Sequence, residues 1–550
     1  MAFNKRPAAL VATALAGALL LSACGGGSDD SGSGGGDGGG GTFTAYIGEP
    51  KSPLVPGNTT ESEGAKVISA LWTGLVGYSQ EGEVEYSGVA ESIESDDNQN
   101  WTIKLKDGWT FHDGTPVDAQ SFVDAWNYTA YSPNAQAASY FFANVEGCDA
   151  LRAETDDEDT VTALPAATAM TRMTVVDDST FTVTLSAPFA QWPVTVGYSA
   201  FYPLPKSFFK DPVAAGKQPV GDGPFEADEP FVPGKGITLT RYDDYAGADT
   251  AKVSSVECRV YTDVATAFSD AEAGNLDVVR RIPADAAATA PAEFGDRYLE
   301  DTSSSFTYLG FPTYDRRFAD KRVRRAISMG IDRAAIATAI FNGIRTPATS
   351  IIAPTIDGSQ DDACAYCHLD AAAAHMLLDA AHFDGTKKIE LWFNAGTGQD
   401  AFIEAVGDQQ RQNLGVDFVL KGDLAIPEYM PLVMKKGFTG PFRSGWPMDY
   451  PSPQNYLEPL YSSSALPPAG IDLSFYSNPV FDQLVSEGDQ APSNAEAIAK
   501  YNQAEDVLLE DMPIIPMFFQ VEQSVFSEHV SNVVVDIFGR VEAAEVTVND

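Results

Sequence analysis

The sequence predicts an α/β protein folded as more than one lobe, and three observations carry that reading. The stretch Ala251 to Ile282 runs strand, helix, strand: Val253 to Val260, then Val264 to Ala273, then the run Leu276-Asp-Val-Val279. Ile389 to Leu420 repeats the order, with a helix from Asp400 to Leu414 between strands Ile389 to Phe393 and Val416 to Leu420. Such an order favours parallel strands joined by crossover helices. The third observation is size: 550 residues, 44% hydrophobic and 20% charged, suit two or three lobes better than one core.

The N-terminus reads differently from the rest. Lys5 and Arg6 precede an apolar run from Ala8 to Leu21, too short for a membrane span, and Leu21-Ser-Ala-Cys24 resembles the lipobox of bacterial lipoproteins. That implies a signal peptide over 1–23, cleavage before Cys24, lipidation of its thiol and attachment to the outer face of the cell membrane. Residues 24–41 are almost entirely Gly, Ser and Asp after the cysteine and read as a flexible tether, so the working domain starts near Thr42.

Lys plus Arg is 35 against 77 for Asp plus Glu, a formal charge of -42. A surface of that sign repels phosphates, which argues against nucleic acid as a partner. It is also suited to solubility in an exposed location or to drawing in cationic solutes.

Taken in order, Thr42 to Ile47 alternates as a strand, and Gly48 to Gly57 breaks it with three prolines. The polar cluster Asn58-Thr-Thr-Glu61-Ser-Glu63 can cap an amphipathic helix from about Gly64 to Leu75. Trp101 to Leu105, the turn Asp107-Gly108 and Trp109 to Phe111 read as a hairpin, and Pro116 opens a helix with Phe122, Val123 and Trp126 on one face. His112 beside Asp113 reads as a turn histidine, because no nucleophile accompanies it. Asp149 to Asp159 is an acidic surface loop, Thr180 to Ser186 a strand, and Gly221-Asp-Gly223-Pro a tight turn. Arg322 to Phe341 has the period of one long helix, Asp370 caps another to Ala381, and Tyr501 to Glu510 is helical. Pro513 to Phe519 is a buried strand, and the tail from Val521 returns towards the start of the chain.

Function is concentrated in Arg443-Ser-Gly-Trp446-Pro-Met-Asp449-Tyr450. Gly445 and Pro447 keep it out of a regular helix, so a guanidinium, an indole and a carboxylate are held on a loop or strand end. Such a set can seize an ammonium, cover it with an apolar lid and offer a fork to a carboxylate. A free peptide carries both charges; a solvated surface turn is the plainer reading of the same residues.

This segment resembles the ligand loop of the oligopeptide-binding proteins of ABC importers, family 5 of the extracellular solute-binding proteins. Trp101-Thr-Ile-Lys-Leu-Lys-Asp-Gly-Trp109-Thr-Phe-His112-Asp-Gly-Thr-Pro116 through Trp126 resembles the same family. So do Pro219 to Phe225, Ala273 to Asp277, Arg322 to Ile327 with Asp332-Arg333, and Pro513 to Pro516. The resemblance implies a type II periplasmic-binding-protein fold: a first lobe over 42–303 with a subdomain at about 73–199, a second over 304–521, a return over 522–550, and a hinge between them. It implies a monomer with no cofactor and no enzymatic activity, binding a small peptide and delivering it to ABC permease subunits. On this reading Asp449 pairs with the peptide ammonium, Trp446 covers it, and Arg443 meets a carbonyl or the terminal carboxylate. Thr60, Glu61 and Tyr140 approach the cleft. Gln399 and Met434 stand where a His and a second Arg are usual, and Gln520 where an aromatic is, which leaves peptide length open.

Excluding Cys24, four cysteines remain in a chain read as exported: Cys148, Cys258, Cys364 and Cys367. Cys364 and Cys367 are expected to form a local disulfide, with Cys148 and Cys258 as a second pair. Cys364-Ala-Tyr-Cys367-His368 also matches the c-type haem attachment pattern, and zinc with His375 and His382 is disfavoured by the six-residue gap. No Walker A loop, Gly-x-Ser-x-Gly elbow, His-Glu-x-x-His or EF-hand pattern occurs. The alternatives are the same fold around an oligosaccharide, metal chelate or other solute, and a secreted hydrolase.

Overall fold

The computed structural model describes residues 40–155, 161–283, 285–396, 398–467 and 470–549; the signal-peptide and Cys24 expectations, and nearly all of the tether, lie outside them. Among the described residues an eleven-stranded mixed sheet runs through the molecule. At one end Thr42–Ile47 lies between Ser255–Val260 and Val278–Arg280, parallel to both. At the other, Ile389–Trp392 lies between Phe418–Lys421 and Phe442–Trp446, again parallel to both. The crossover helices Val264–Glu272 and Asp400–Leu414 make these parallel pairings possible. Both β-α-β units read from the sequence are therefore present, one in each half.

The halves are joined by two long antiparallel strands, Tyr298–Gly310 and Ile514–Phe526, whose register slips between Thr302 and Phe306 and again between Thr307 and Tyr308. One part of this pair serves the far core, through Leu309, Ile515, Met517 and Phe518. Its other part serves the near half, where Val525 joins the cluster of Phe268 and Leu276. Residues 43–260 share their largest apolar cluster with Val530, Val533 and Val546 of the tail.

A separate four-stranded sheet, in the order Ala90–Glu94, Asn100–Leu105, Thr180–Thr184, Met173–Asp177, belongs to the same large apolar cluster as the helix Ala119–Ala130. Trp126 is fully buried there and its Nε1 donates to the Phe201 carbonyl at 2.9 Å. Both edges of Asn100–Leu105 are taken by strand neighbours, so Trp109 to Phe111 cannot be its hairpin arm and makes only a bridge from Thr110 to Pro116. The helix starts at Ala119 rather than at Pro116 because Asp118 caps it, accepting from the Ser121 amide at 2.8 Å. His112 is a structural clasp. Its Nδ1 accepts from the Gly221 amide at 3.1 Å and its Nε2 faces the Gly223 carbonyl at 3.1 Å, so the ring holds the turn, and burial pushes its pKa down to about 4.

The single helix expected from Arg322 to Phe341 is two, Lys321–Met329 and Arg333–Phe341. Gly330 ends the first and Asp332 caps the second, accepting from the Ala335 amide at 2.9 Å. Both helices pack on one core, which is why the apolar period runs unbroken through the turn.

Cys364 and Cys367 are joined by a disulfide. Cys148 and Cys258 are not a pair: Cys148 opens the short turn Cys148–Leu151, Cys258 lies within Ser255–Val260 of the main sheet, and each is a buried free thiol. Burial raises the Cys148 thiol and pushes that of Cys258 up to about 12. Neither should be alkylated by iodoacetamide at pH 8 until the protein is unfolded; labelling in the folded state would refute this packing. Reducing the short Cys364–Cys367 loop should cost about 2 kcal/mol, a melting shift of about 2 °C, read by calorimetry with and without reductant.

Candidate ligand-binding site

The strand Phe442–Trp446 lies against Tyr298–Gly310, with Trp446 opposite Phe306 and Arg443 opposite Leu309. Gly445 is required at this contact, since a Cβ there would stand 2.9 Å from the Phe306 carbonyl oxygen. Pro447 follows the strand's last residue, and the chain turns into the helix Gln454–Tyr461. Asn455, buried in the first turn of that helix, ties the loop together. Its Oδ1 accepts both the Trp446 Nε1, at 3.1 Å, and the Asp449 amide, at 2.8 Å. The indole and the carboxylate are thus positioned by one amide oxygen.

The Asp449 carboxyl has no cation beside it among the described residues. Burial pushes its pKa up to about 7, against the pull of hydrogen bonds from Asn455, Tyr198 and Tyr140. Tyr140 and Tyr198 stack on either side of Phe141, with ring centroids 4.4 and 4.5 Å from it, so the carboxylate rests against an aromatic wall. Tyr140 is the most open of these, at 50% exposure, and is available to a ligand.

Asp449 opens on a cavity of about 110 Å³ that Thr60, Glu61, Lys66, Arg281 and Phe538 also line. Larger hollows lie elsewhere, one of about 590 Å³ beside Pro50 to Val55 and one of about 230 Å³ around Thr73 and Arg540. The candidate site is the smaller cavity, because Asp449 lines it. Glu61 does cap the helix Ser62–Leu71: its carboxylate accepts from the Gly64 amide at 2.9 Å and the Glu63 amide at 2.8 Å. Capping and a place on the cavity wall coexist in that residue.

The opposite wall is cationic but paired. Lys66 meets Glu63 at 2.7 Å, Arg281 meets Glu522 at 3.0 Å, and Arg280 meets Asp301 at 3.3 Å. Arg281 has φ near +62°, a strained conformation for a residue with a side chain, which the surrounding structure holds at the cavity edge. Behind it Gly539, with φ near +77°, lets the tail pass so close that a Cβ would lie 2.8 Å from Arg280 Nη2.

Arg443 is placed differently. Its Nε is buried with no hydrogen-bond partner, beside Tyr308 and Tyr429, and burial lowers its pKa. Arg345, on the short strand Arg345–Pro347, was not singled out in the sequence and has the same character: Nη1 buried and unpartnered, pKa pushed down to about 10. Gln520 is its sheet partner on Ile514–Phe526. Gln399 stands at the start of the helix Asp400–Leu414, outside the lining of the Asp449 cavity. Sequence reasoning also missed Tyr198, Asn455, Arg280, Arg281 and the tail residues Phe538 to Arg540. Among the described residues no cluster of three His, Cys, Asp or Glu side chains could hold a metal ion, and no helix is long and apolar enough to cross a membrane.

A large mixed sheet carries β-α-β units in both halves, and the Asp449 carboxyl, with no ion pair among the described residues, lines a cavity of the same body. The chain belongs to the bacterial extracellular solute-binding proteins, family 5, whose middle-region profile matches residues 86–467. It is 26% identical over 490 residues to the periplasmic murein peptide-binding protein MppA of Escherichia coli, 86% of each chain. It is 25% identical over 507 residues to the oligopeptide-binding protein OppA of Bacillus subtilis, 89% of each. Among solved structures it superposes on the E. coli murein tripeptide-binding protein MppA with a TM-score of 0.75 at 22% identity, covering 92% of this chain and 98% of that one. It superposes on Haemophilus influenzae OppA in complex with RPPGFSPFR with a TM-score of 0.72 at 21% identity, covering 92% and 99%. The fold is therefore that of the periplasmic peptide-binding proteins.

Proposed function

We propose that this chain captures short peptides in the cleft at Asp449 and hands them to an ABC permease, working as a lipid-anchored monomer outside the cytoplasm. The observation that carries the reading is the buried Asp449 carboxyl, which makes no ion pair among the described residues while the cations of the same cavity are paired with other carboxylates. A carboxyl so placed is costly unless a ligand supplies the counter-charge, and a peptide's ammonium does so. Trp446 covers that ammonium, while Arg443 awaits a carbonyl or the terminal carboxylate. The peptide-binding names of the relatives, MppA and OppA, support the same choice. The lobes, 42–303 with 522–550 and 304–521, close about a hinge in the two long strands where their register slips. Cys24 carries the lipid.

The test is mass spectrometry of what co-purifies with the protein. Short peptides are expected; a sugar or a metal chelate in their place would overturn the peptide assignment and leave the fold untouched.

The protein is also proposed to turn nothing over, since capture by lobe closure needs no activated nucleophile. Peptides and glycosides incubated with it for a day should be recovered intact; hydrolysis abolished by a point change in the protein would show an enzyme.

A further inference from the structure

Four arginines, Arg280 and Arg281 on the wall of the Asp449 cavity and Arg345 and Arg443 beyond it, lie close enough to feel one another's charge, and only two are neutralised. Arg280 has Asp301 and Arg281 has Glu522. Among the described residues Arg345 and Arg443 make no ion pair, and each has a buried guanidinium nitrogen with no hydrogen-bond partner. Glu522 is near enough to Arg345 to favour its charge but is committed to Arg281, at 3.0 Å. The positive charges of Arg443 and Arg281 act on Arg345 in the unfavourable sense. This excess of two positive charges stands in a protein of net charge -42, where a neutralising carboxylate would be easy to place. Arg280 Nε is buried and open as well, so three guanidinium nitrogens stand unpartnered together, a pattern that fits a site completed from outside.

A peptide's terminal carboxylate satisfies one of the two. We propose that Arg345 is a specificity-determining residue that receives a second carboxylate, so that the preferred ligands are peptides ending in an acidic residue. This rests on the peptide reading above and narrows it. The Arg345 guanidinium lies over the Phe341 ring, its central carbon 5.2 Å from the centroid, and this contact helps to hold the head of the side chain where it stands. Neutral and basic termini leave that head uncompensated, and a basic one adds a third positive charge.

The test is titration calorimetry of the protein with di-, tri- and tetrapeptides of alanine ending in Ala, Gln, Glu or Lys. At the length that binds best, the Glu peptide is expected to bind about tenfold or more tightly than its Gln isostere, and the Lys peptide most weakly. Arg345→Gln should bring Glu and Gln within about twofold of each other while leaving the affinity for the Gln peptide in place, and Arg345→Lys should restore part of the preference. Retained binding of the Gln peptide shows that the variants are folded. Equal binding of Glu and Gln peptides by the parent protein, a preference unmoved by Arg345→Gln, or free glutarate binding as tightly as the Glu peptide would overturn the proposal and leave peptide capture standing. Failure of every peptide to bind would overturn both.

Discussion

Blocking the amino group of a bound peptide, or changing Asp449 to Asn, is expected to weaken binding about a hundredfold to several-thousandfold. On the proposed reading the ion pair would form in a desolvated cleft, and removing either partner would strand the other at a cost of about 3 to 5 kcal/mol, with each ~1.4 kcal/mol a factor of ten. The two changes together should not be additive, because the second deletes an interaction already lost. Calorimetry on the four combinations decides it: an acetylated peptide that binds the unaltered protein as tightly as the free one would remove Asp449 from the role of anchor.

The same carboxyl makes binding depend on pH. It takes up a proton near pH 7 in the empty protein, so affinity should fall as pH drops below about 7; above about 8 the peptide's own amino group loses its charge and affinity falls again. For the empty protein the sign is opposite. Its folded-state pKa is raised, so between the ordinary carboxyl range and about 7 the folded chain holds a proton that the unfolded chain releases, and this residue's contribution to stability declines as pH rises through that window. Asp449→Asn should therefore melt above the parent at pH 8 and level with it at pH 4.

The second large effect is on folding. Arg333 is 3% exposed and has no carboxylate partner among the described residues; its guanidinium donates from Nε to the Pro516 carbonyl at 2.6 Å, from Nη1 to that of Cys367 at 2.8 Å and from Nη2 to Ser328 Oγ at 2.8 Å. One side chain pins the long strand Ile514–Phe526, the disulfide loop and a helix end to each other. Arg333→Met keeps the stem but leaves these acceptors dry, and should cost about 3 kcal/mol or more in urea unfolding. Arg333→Lys, with fewer donors in reach, should lose somewhat less. A Met variant within about 0.5 kcal/mol of the parent would show that the acceptors find other partners.

Much of this architecture was legible in the sequence because local pattern and tertiary role agree there. Asp370, Glu61 and the helix Asp400–Leu414 are where capping and periodicity place them. The misreadings share a cause: a period or a turn signal is local, while pairing is not. Nothing in Trp109-Thr-Phe111 shows that both edges of Asn100–Leu105 are already occupied, and nothing in the apolar period of residues 322–341 shows that one core receives two helices. The site divides along the same line. Arg443, Trp446 and Asp449 sit in one short segment with its own signature, whereas Arg345, Tyr198 and Asn455 carry no local mark and acquire meaning only from what the fold sets beside them.

The tail has a consequence for the life of the molecule. Residues from Thr59 to Arg540 wall the Asp449 cavity, so nearly the whole chain must be present before that cavity exists. A polypeptide still emerging from a ribosome can have the carboxylate but lack Phe538, Gly539 and Arg540. The cavity is therefore among the last features of the fold to form.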